Sequence, residues 1–402
     1  MGNPPMFSRA NLAKKMAKTI LTNAAASAIS SGLFLAAPRR TGKSTFIRND
    51  LKPELEKEGA VVLYVDLWAD KKADPGDVII GAVRAELAKH EGAVARLAKS
   101  AGMEKAKVGG LSFSLDRIGL GHGVSLSVAL AELSDEVKRP LVLVIDEAQH
   151  AITTENGYNA IFALKAARDE INSSSHHGLR IVATGSNRDK LAMLRNSKDQ
   201  AFFGAPLVAF PTLDKEYVVW FCNQANLPAA LDPDEVQQLF AKAAYRPEIL
   251  GAAADDLRLI FNLDAEHVRQ RFTQAVEEQI SAADSQVLRI IRGLTPLQST
   301  VLRVLAARKD SYAPFEEATM AVYRDVLRHI APGDKTRLDI SSVQAALTAL
   351  QEKTLVWKEK RGIYAIEESS TADLLDSSGL LAVVPPLQDD EAIKNRKPGH
   401  KR

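Results

Sequence analysis

Hydrophobic residues in the first half of the chain fall in short unbroken runs, at Leu33 to Ala37, Ala60 to Leu67, Leu141 to Ile145, Arg180 to Thr184 and Pro206 to Phe210. Runs this short with almost no polar interruption describe strands buried on both faces, the pattern of a parallel sheet covered by crossover helices. The stretches between them carry helical spacing, so the region reads as α/β. The long insert between the second and third runs holds a helical piece near Asp77 to Ala98. It then reaches Gly-Gly-Leu-Ser-Phe-Ser-Leu over 109–115, whose alternation suits a small hairpin.

From Leu213 onward the strand pattern stops and amphipathic helices follow. Asp232-Pro233-Asp234-Glu235 sets a capping carboxylate ahead of a first-turn proline, and Asp264 can start a further helix running to about Ala283. Thr295-Pro296-Leu297-Gln298 has the form of a capping box. Helices are predicted over 296–307, 315–329 and 341–353, followed by two alternating runs from Leu355 to Ile366 around a turn with Gly362. Three helices closed by a two-stranded hairpin describe a winged helix. The expected organisation is an α/β domain with an N-terminal helix over 1–212, a helical lid over 213–286, a winged helix over 287–366 and a flexible tail over 367–402.

Composition narrows the class. A chain of 402 residues is too long for one small module, and 46% hydrophobic with 25% charged residues is an ordinary globular balance. Fifty-two basic against fifty acidic residues leave a charge of +2, which excludes a chain that coats nucleic acid over its whole surface. The single cysteine, Cys222, excludes an intramolecular disulfide framework and a cysteine zinc cluster, and its apolar neighbours suggest a core position. The uncharged stretch from Thr19 to Pro38 is too polar for a signal peptide or a membrane span, so a cytoplasmic protein without a membrane segment is expected. His176-His177 lacks further ligands for a metal, and Tyr217 and Trp220 read as core residues of the lid.

The chemistry gathers at strand ends. Directly after the first run stands Pro38-Arg39-Arg40-Thr41-Gly42-Lys43-Ser44-Thr45, followed by helix-forming residues. Amides of such a loop can fold around phosphate oxygens, Lys43 can reach the outer phosphates, and the Ser44 hydroxyl can hold Mg²⁺. The usual G-x-x-x-x-G-K-[ST] spacing asks for glycine where this chain has Ala37. A Cβ there is harmless in a strand and costly at a left-handed angle. The third run delivers Asp146 and Glu147 at its carboxyl end, where ligands bind in open parallel sheets. Asp146 would share the Mg²⁺ with Ser44, and Glu147 would take a proton from attacking water. The fourth run ends in Ala183-Thr184-Gly185-Ser186-Asn187-Arg188. There Thr184, Ser186 or Asn187 would sense the γ-phosphate or the water, with Asn187 preferred. Arg188 and Arg195 read as surface charges rather than as arginine fingers.

Together these segments resemble the AAA-type P-loop ATPases with a C-terminal winged helix, and among them most the archaeal-type and signalling ATPases and the origin-recognition initiators. The likeness spans roughly Leu33 to Ile366. It implies a P-loop NTPase sheet in the order 5-1-4-3-2 with a helical lid, ATP and Mg²⁺ as cofactors, and hydrolysis coupled to rearrangement of a complex. Assembly as a homo-oligomer or with a partner protein is also implied. In Tyr245-Arg246-Pro247-Glu248 it places Arg246 before a sensing helix, as a γ-phosphate contact. Phe203-Gly204-Ala205-Pro206 departs from it, because members often carry Gly-Arg there.

Positive charge collects over 287–366, which holds thirteen Lys and Arg against eight Asp and Glu. Lys358, Lys360 and Arg361 fall on the wing, and Ser342, Gln344, Thr348 and Lys353 on the exposed side of the second-last element, so DNA is the expected partner of the winged helix. The alternative is a signalling or scaffold ATPase that hydrolyses slowly and grips a protein with the same module.

Overall fold

The computed structural model describes residues 5–22, 27–70, 72–100, 115–119, 123–196, 198–334, 336–360, 363–367 and 369–386. The proposed hairpin over 109–115 lies almost wholly outside these residues. The chain divides into two compact units, Met1–Thr273 and Gln274–Arg402.

In the first unit the five apolar runs become five strands: β1 Leu33–Ala36, β2 Val61–Asp66, β3 Leu141–Asp146, β4 Leu179–Gly185 and β5 Leu207–Ala209. They pair only in parallel, and across the sheet the order is 5-1-4-3-2, as the resemblance implied. Alternate residues of β1 to β4 feed two separate cores, as the period of two requires, while the edge strand β5 packs only Leu207 and exposes Val208 and Ala209. Phe34, Leu63, Leu143, Ile145 and Ile181 join one cluster with the helices Pro75–Leu87, Leu126–Val137 and Glu155–Ser173. Leu33, Leu35, Val62, Val142, Val144 and Val182 join the other, with Ala13, Ala17 and Ile20 of the N-terminal helix and Phe46 to Leu55 of the helix after the first loop. Unbroken hydrophobicity thus reports a sheet with a helical layer on each face. The piece expected near Asp77 to Ala98 is two helices, Pro75–Leu87 and Glu91–Ser100.

Residues 213–273 add the helices Lys215–Gln224, Pro233–Lys242 and Pro247–Arg258. The expected cap at Asp232 is present, accepting from the amides of Asp234 and Glu235, and Asp214 adds one that the sequence reading did not name, accepting from the Glu216 amide. Asp264 precedes the short turn Ala265–His267 without a side-chain cap bond, and the helix beyond it runs from Val268 to Arg292 rather than ending near Ala283. Tyr217 is buried, while Cys222 is half-buried rather than a full core residue.

The second unit contains three helices and then a two-stranded hairpin, the element order that the sequence reading expected. The helices Pro296–Arg308, Glu317–Ile330 and Ile340–Glu352 are followed by the antiparallel pair β6 Val356–Lys360 and β7 Ile363–Ile366. Thr295 and Gln298 form the capping box that the sequence announced. Of the residues expected in a flexible tail, those over 369–386 are instead built into this unit, and 387–402 lie outside the described residues. Ser369–Ser377 is helical and Leu375 is fully buried, because Leu375, Leu380, Leu381 and Val383 extend the apolar face onto the core of the three helices.

Candidate functional site

Because every strand of the sheet runs the same way, β1, β3 and β4 bring their carboxyl ends to one edge. At β1 the ladder continues one residue past the strand, since the Ala37 amide donates to the Gly185 carbonyl at 3.1 Å. Ala37 is therefore strand-like and buried, and its Cβ is harmless. The left-handed angles of the loop fall at Arg40, with φ 63°, and at Gly42, with φ 82°. Thr41 closes the loop by donating its hydroxyl to the Pro38 carbonyl at 2.8 Å. Gly42 precedes the helical stretch that opens at Lys43–Phe46, continues through a π-turn over Ile47–Leu51 and ends at Lys52–Lys57. Pro38, Arg40 and Thr45 are exposed, Arg39 and Ser44 are half-buried, and Thr41 and Lys43 are buried.

Lys43 and the acidic pair meet. The Lys43 ammonium lies 2.9 Å from Glu147 Oε1 and 3.8 Å from Asp146 Oδ1. Asp146 is almost fully buried and takes hydroxyls on both oxygens, from Thr184 on Oδ1 and from Tyr64 on Oδ2 at 3.0 Å. Glu147 has a left-handed backbone, with φ 53°, which turns its side chain back toward the loop. Its Oε2 accepts from Gln149 Nε2 at 2.5 Å and from Ser186 Oγ at 2.7 Å. Burial alone would raise the Glu147 carboxyl, but the Lys43 charge and the Lys43, Ser186 and Gln149 hydrogen bonds outweigh it and hold it at about 2.

Of the three candidates at the end of β4, Thr184 and Ser186 touch the acidic pair. Asn187 caps the next helix, its Oδ1 accepting from the amides of Asp189 and Lys190 at 3.0 Å. Gly185 lies between them, and a Cβ there would come 2.4 Å from Gln149 Oε1, so a larger residue would displace the Gln149 side chain from the acidic pair.

The helix Pro247–Arg258 approaches the loop through Glu248, whose carboxylate lies 4.0 Å from the Arg40 guanidinium. Arg246 itself donates to the Ala243 carbonyl at 3.1 Å. A Schellman motif builds this turn. The Tyr245 amide donates to the Phe240 carbonyl and the Ala244 amide to Ala241, while the Tyr245 and Phe240 rings meet edge to face at 5.5 Å. Ala244 takes the left-handed position at φ 54° that glycine usually fills.

Three contributors escaped the reading of the sequence. Tyr64 looked like an ordinary strand residue, Gln149 a residue after the acidic pair, and Trp68 part of a loop. Trp68 lies under the Arg39 guanidinium at 4.7 Å and against the His150 ring at 4.4 Å. Only the period of two in β2 hinted that Tyr64 and Asp66 share a face.

Among the described residues no cluster of three or more His, Cys, Asp or Glu could hold a metal by itself, and no helix is long and apolar enough to cross a membrane. A magnesium ion bound with a nucleotide needs no such cluster, since the phosphates and waters fill most of its shell. Ser44 and Asp146 offer the hard oxygen donors it takes.

A loop with Gly42, Lys43 and Ser44 leading out of β1 of a 5-1-4-3-2 parallel sheet, with an acidic pair ending β3, has the arrangement of the P-loop NTPase fold. Solved structures agree. Over 93% of its length the chain matches a Walker-type ATPase of Pyrococcus abyssi, covering 98% of that protein at 17% identity and a TM-score of 0.51. Over 96% it matches the ORC2 protein of Aeropyrum pernix in its ADP form, covering 97% of that chain at 12% identity and a TM-score of 0.54. At these identities the likeness is one of fold. No protein-family profile matches the sequence, and no curated protein does.

Proposed function

We propose that this protein binds ATP with Mg²⁺ at the loop 38–45, hydrolyses it, and couples the nucleotide state to engagement of DNA through its winged helix. The observation that carries this reading is the meeting of Lys43, Asp146 and Glu147 at the carboxyl edge of the sheet, beside a loop that ends at a helix N-terminus. Amides there favour phosphate oxygens. Lys43 exchanges Glu147 for the outer phosphates, and the Glu147 carboxylate is thereby released to take a proton from water. With pKa of about 2 in its paired state Glu147 is a poor base, so release from Lys43 is what makes it competent. Ser44 and Asp146 hold the magnesium ion, which when bound neutralises charge on the phosphate oxygens. Arg246 and Asn187 complete the proposed set, as contacts to the γ-phosphate and the water. The ORC2 protein of similar fold was solved with ADP, which supports a nucleotide as the ligand. Assembly with further copies or a partner protein, in the cytoplasm, belongs to the same reading.

A specific observation favours the second reading of the winged helix. The exposed positions of Ile340–Glu352 are Ile340, Ser341, Ala345, Thr348 and Glu352, without one Lys or Arg. Ser342 is engaged in the cap with Asp339, and Gln344 exchanges hydrogen bonds with the Tyr364 hydroxyl. Both were expected to be exposed, and both are half-buried. Such a helix can dock on a protein, and on DNA it leaves contact to phosphates from Lys353 and Lys358 with little base readout.

ATP titration and turnover of the wild type, Lys43→Ala and Glu147→Gln test the nucleotide reading. Lys43→Ala is expected to lose ATP binding. Glu147→Gln is expected to keep binding and to lose turnover about a hundredfold or more. Unchanged ATP binding by Lys43→Ala would remove the site assignment.

A further inference from the structure

The geometry points to Tyr64 as a positioning residue for Asp146, held in place by Arg48 of the helix that follows the phosphate loop. This inference rests on the nucleotide reading of the site. Tyr64 lies on β2, the outermost strand next to β3, in register with Val144 and two residues before Asp66, which pairs with Asp146 itself. Its hydroxyl donates to Asp146 Oδ2 at 3.0 Å. The same oxygen accepts from Arg48 Nε at 2.9 Å. Arg48 is fixed in turn by Asp66, at 2.6 Å from its terminal nitrogen, and its guanidinium lies 5.0 Å from the centre of the Tyr64 ring.

Direction matters in this chain. Arg48 can only donate, so the Tyr64 oxygen is an acceptor toward it and the phenolic proton must point at Asp146. With Thr184 on the other oxygen, both carboxylate oxygens of Asp146 have a hydroxyl donor and the plane of the carboxylate is set. A carboxylate oriented before a cation arrives loses less freedom on binding it.

Arg48 sits in the π-turn over Ile47–Leu51. Such turns are rare and recur at functional sites. Here it gives a physical link from the helix carrying Lys43 and Ser44 to the strand carrying Asp146. Through Arg48 and Tyr64, the phosphate loop and the acidic residue hold their relative placement.

The test is Tyr64→Phe in the full chain, with affinity for ATP measured across a Mg²⁺ titration and for ADP in EDTA. The Mg²⁺ concentration for half-maximal tightening of ATP binding is expected to rise about three- to tenfold, the span one hydrogen bond supports. ADP affinity in EDTA is expected to stay within about twofold, because no metal is involved there. Arg48→Ala is expected to show a smaller shift of the same kind, and to add little in the Tyr64→Phe background, since the two act in series. An unaltered Mg²⁺ dependence, or an equal loss with and without metal, would overturn the positioning role while leaving the nucleotide site intact. Absence of ATP binding by the wild type would overturn the site and this role together.

Discussion

Lys43 and Glu147 show how much one pair decides. Both are largely buried, and each makes the other tolerable there. Glu147 is held below its ordinary value, so its charged form adds stability above pH 4.5, a contribution lost as pH falls toward 2. The size of that contribution is about 3 kcal/mol. In Lys43→Met the burial stays and the ammonium goes, so two carboxylates face each other unpaired. The variant is expected to be about 3 to 5 kcal/mol less stable at pH 7. Its deficit should shrink as the solution is acidified to about pH 4, where Glu147 can take up a proton. Denaturant unfolding at both pH values checks this, and a deficit independent of pH would contradict the pairing. Ala37 makes the opposite case. Its amide is in the sheet ladder and its angle is strand-like, so Ala37→Gly is expected to leave ATP affinity within about twofold while lowering stability by roughly 0.5 to 1 kcal/mol. Nucleotide titration and thermal unfolding separate the two effects.

At the level of elements, what the sequence disclosed and what it hid have different physical origins. The strands were legible because a sheet covered on both faces needs unbroken apolar runs, and the helix starts because Asp232, Thr295 and their followers are local hydrogen-bond devices. The meeting of Lys43 with Asp146 and Glu147 was legible too, since a parallel sheet fixes which strand ends coincide. Partners that meet only across the sheet were not. Tyr64 reaches Asp146 from a neighbouring strand, and Gln344 is engaged by Tyr364 of the wing, contacts between residues distant in sequence. Asn187 is a mixed case: with Asp189 two residues on it carries a helix-start signal that competes with the sensing role, and its side chain does cap that helix. The turn before Arg246 hid as well, because Ala244 disguises a position that glycine would have advertised. Ala244→Gly is therefore expected to stabilise the first unit by about 1 kcal/mol, the left-handed penalty exceeding the gain in unfolded-state freedom. Equilibrium unfolding decides it, and a loss of stability would mean that the Ala244 methyl packs better than the strain costs.

At the scale of the whole molecule, the proposed function turns on what the second unit binds and whether nucleotide at the first alters that binding. Net charge near zero rules out broad attraction to nucleic acid, so DNA affinity has to arise from a few local cations. Each phosphate contact then contributes to a steep salt dependence through counterion release. Lys353 follows the helix Ile340–Glu352 and Lys358 lies exposed on β6, near the Tyr364 ring. If both contact phosphates, Lys353→Ala and Lys358→Ala each reduce the slope of log affinity against log salt by roughly 1, about equally for any duplex sequence. Unequal effects between sequences would mean base readout, for which Ile340–Glu352 exposes few polar groups. Salt-independent binding to a protein, with no affinity for duplex DNA at low salt, would select the scaffold reading. The nucleotide dependence completes the test: with Glu147→Gln holding ATP, DNA affinity should differ from that of the ADP-bound wild type, because a switch requires one nucleotide state to favour the partner. Equal affinity in both states would leave two independent binding activities on one chain and no coupling between them.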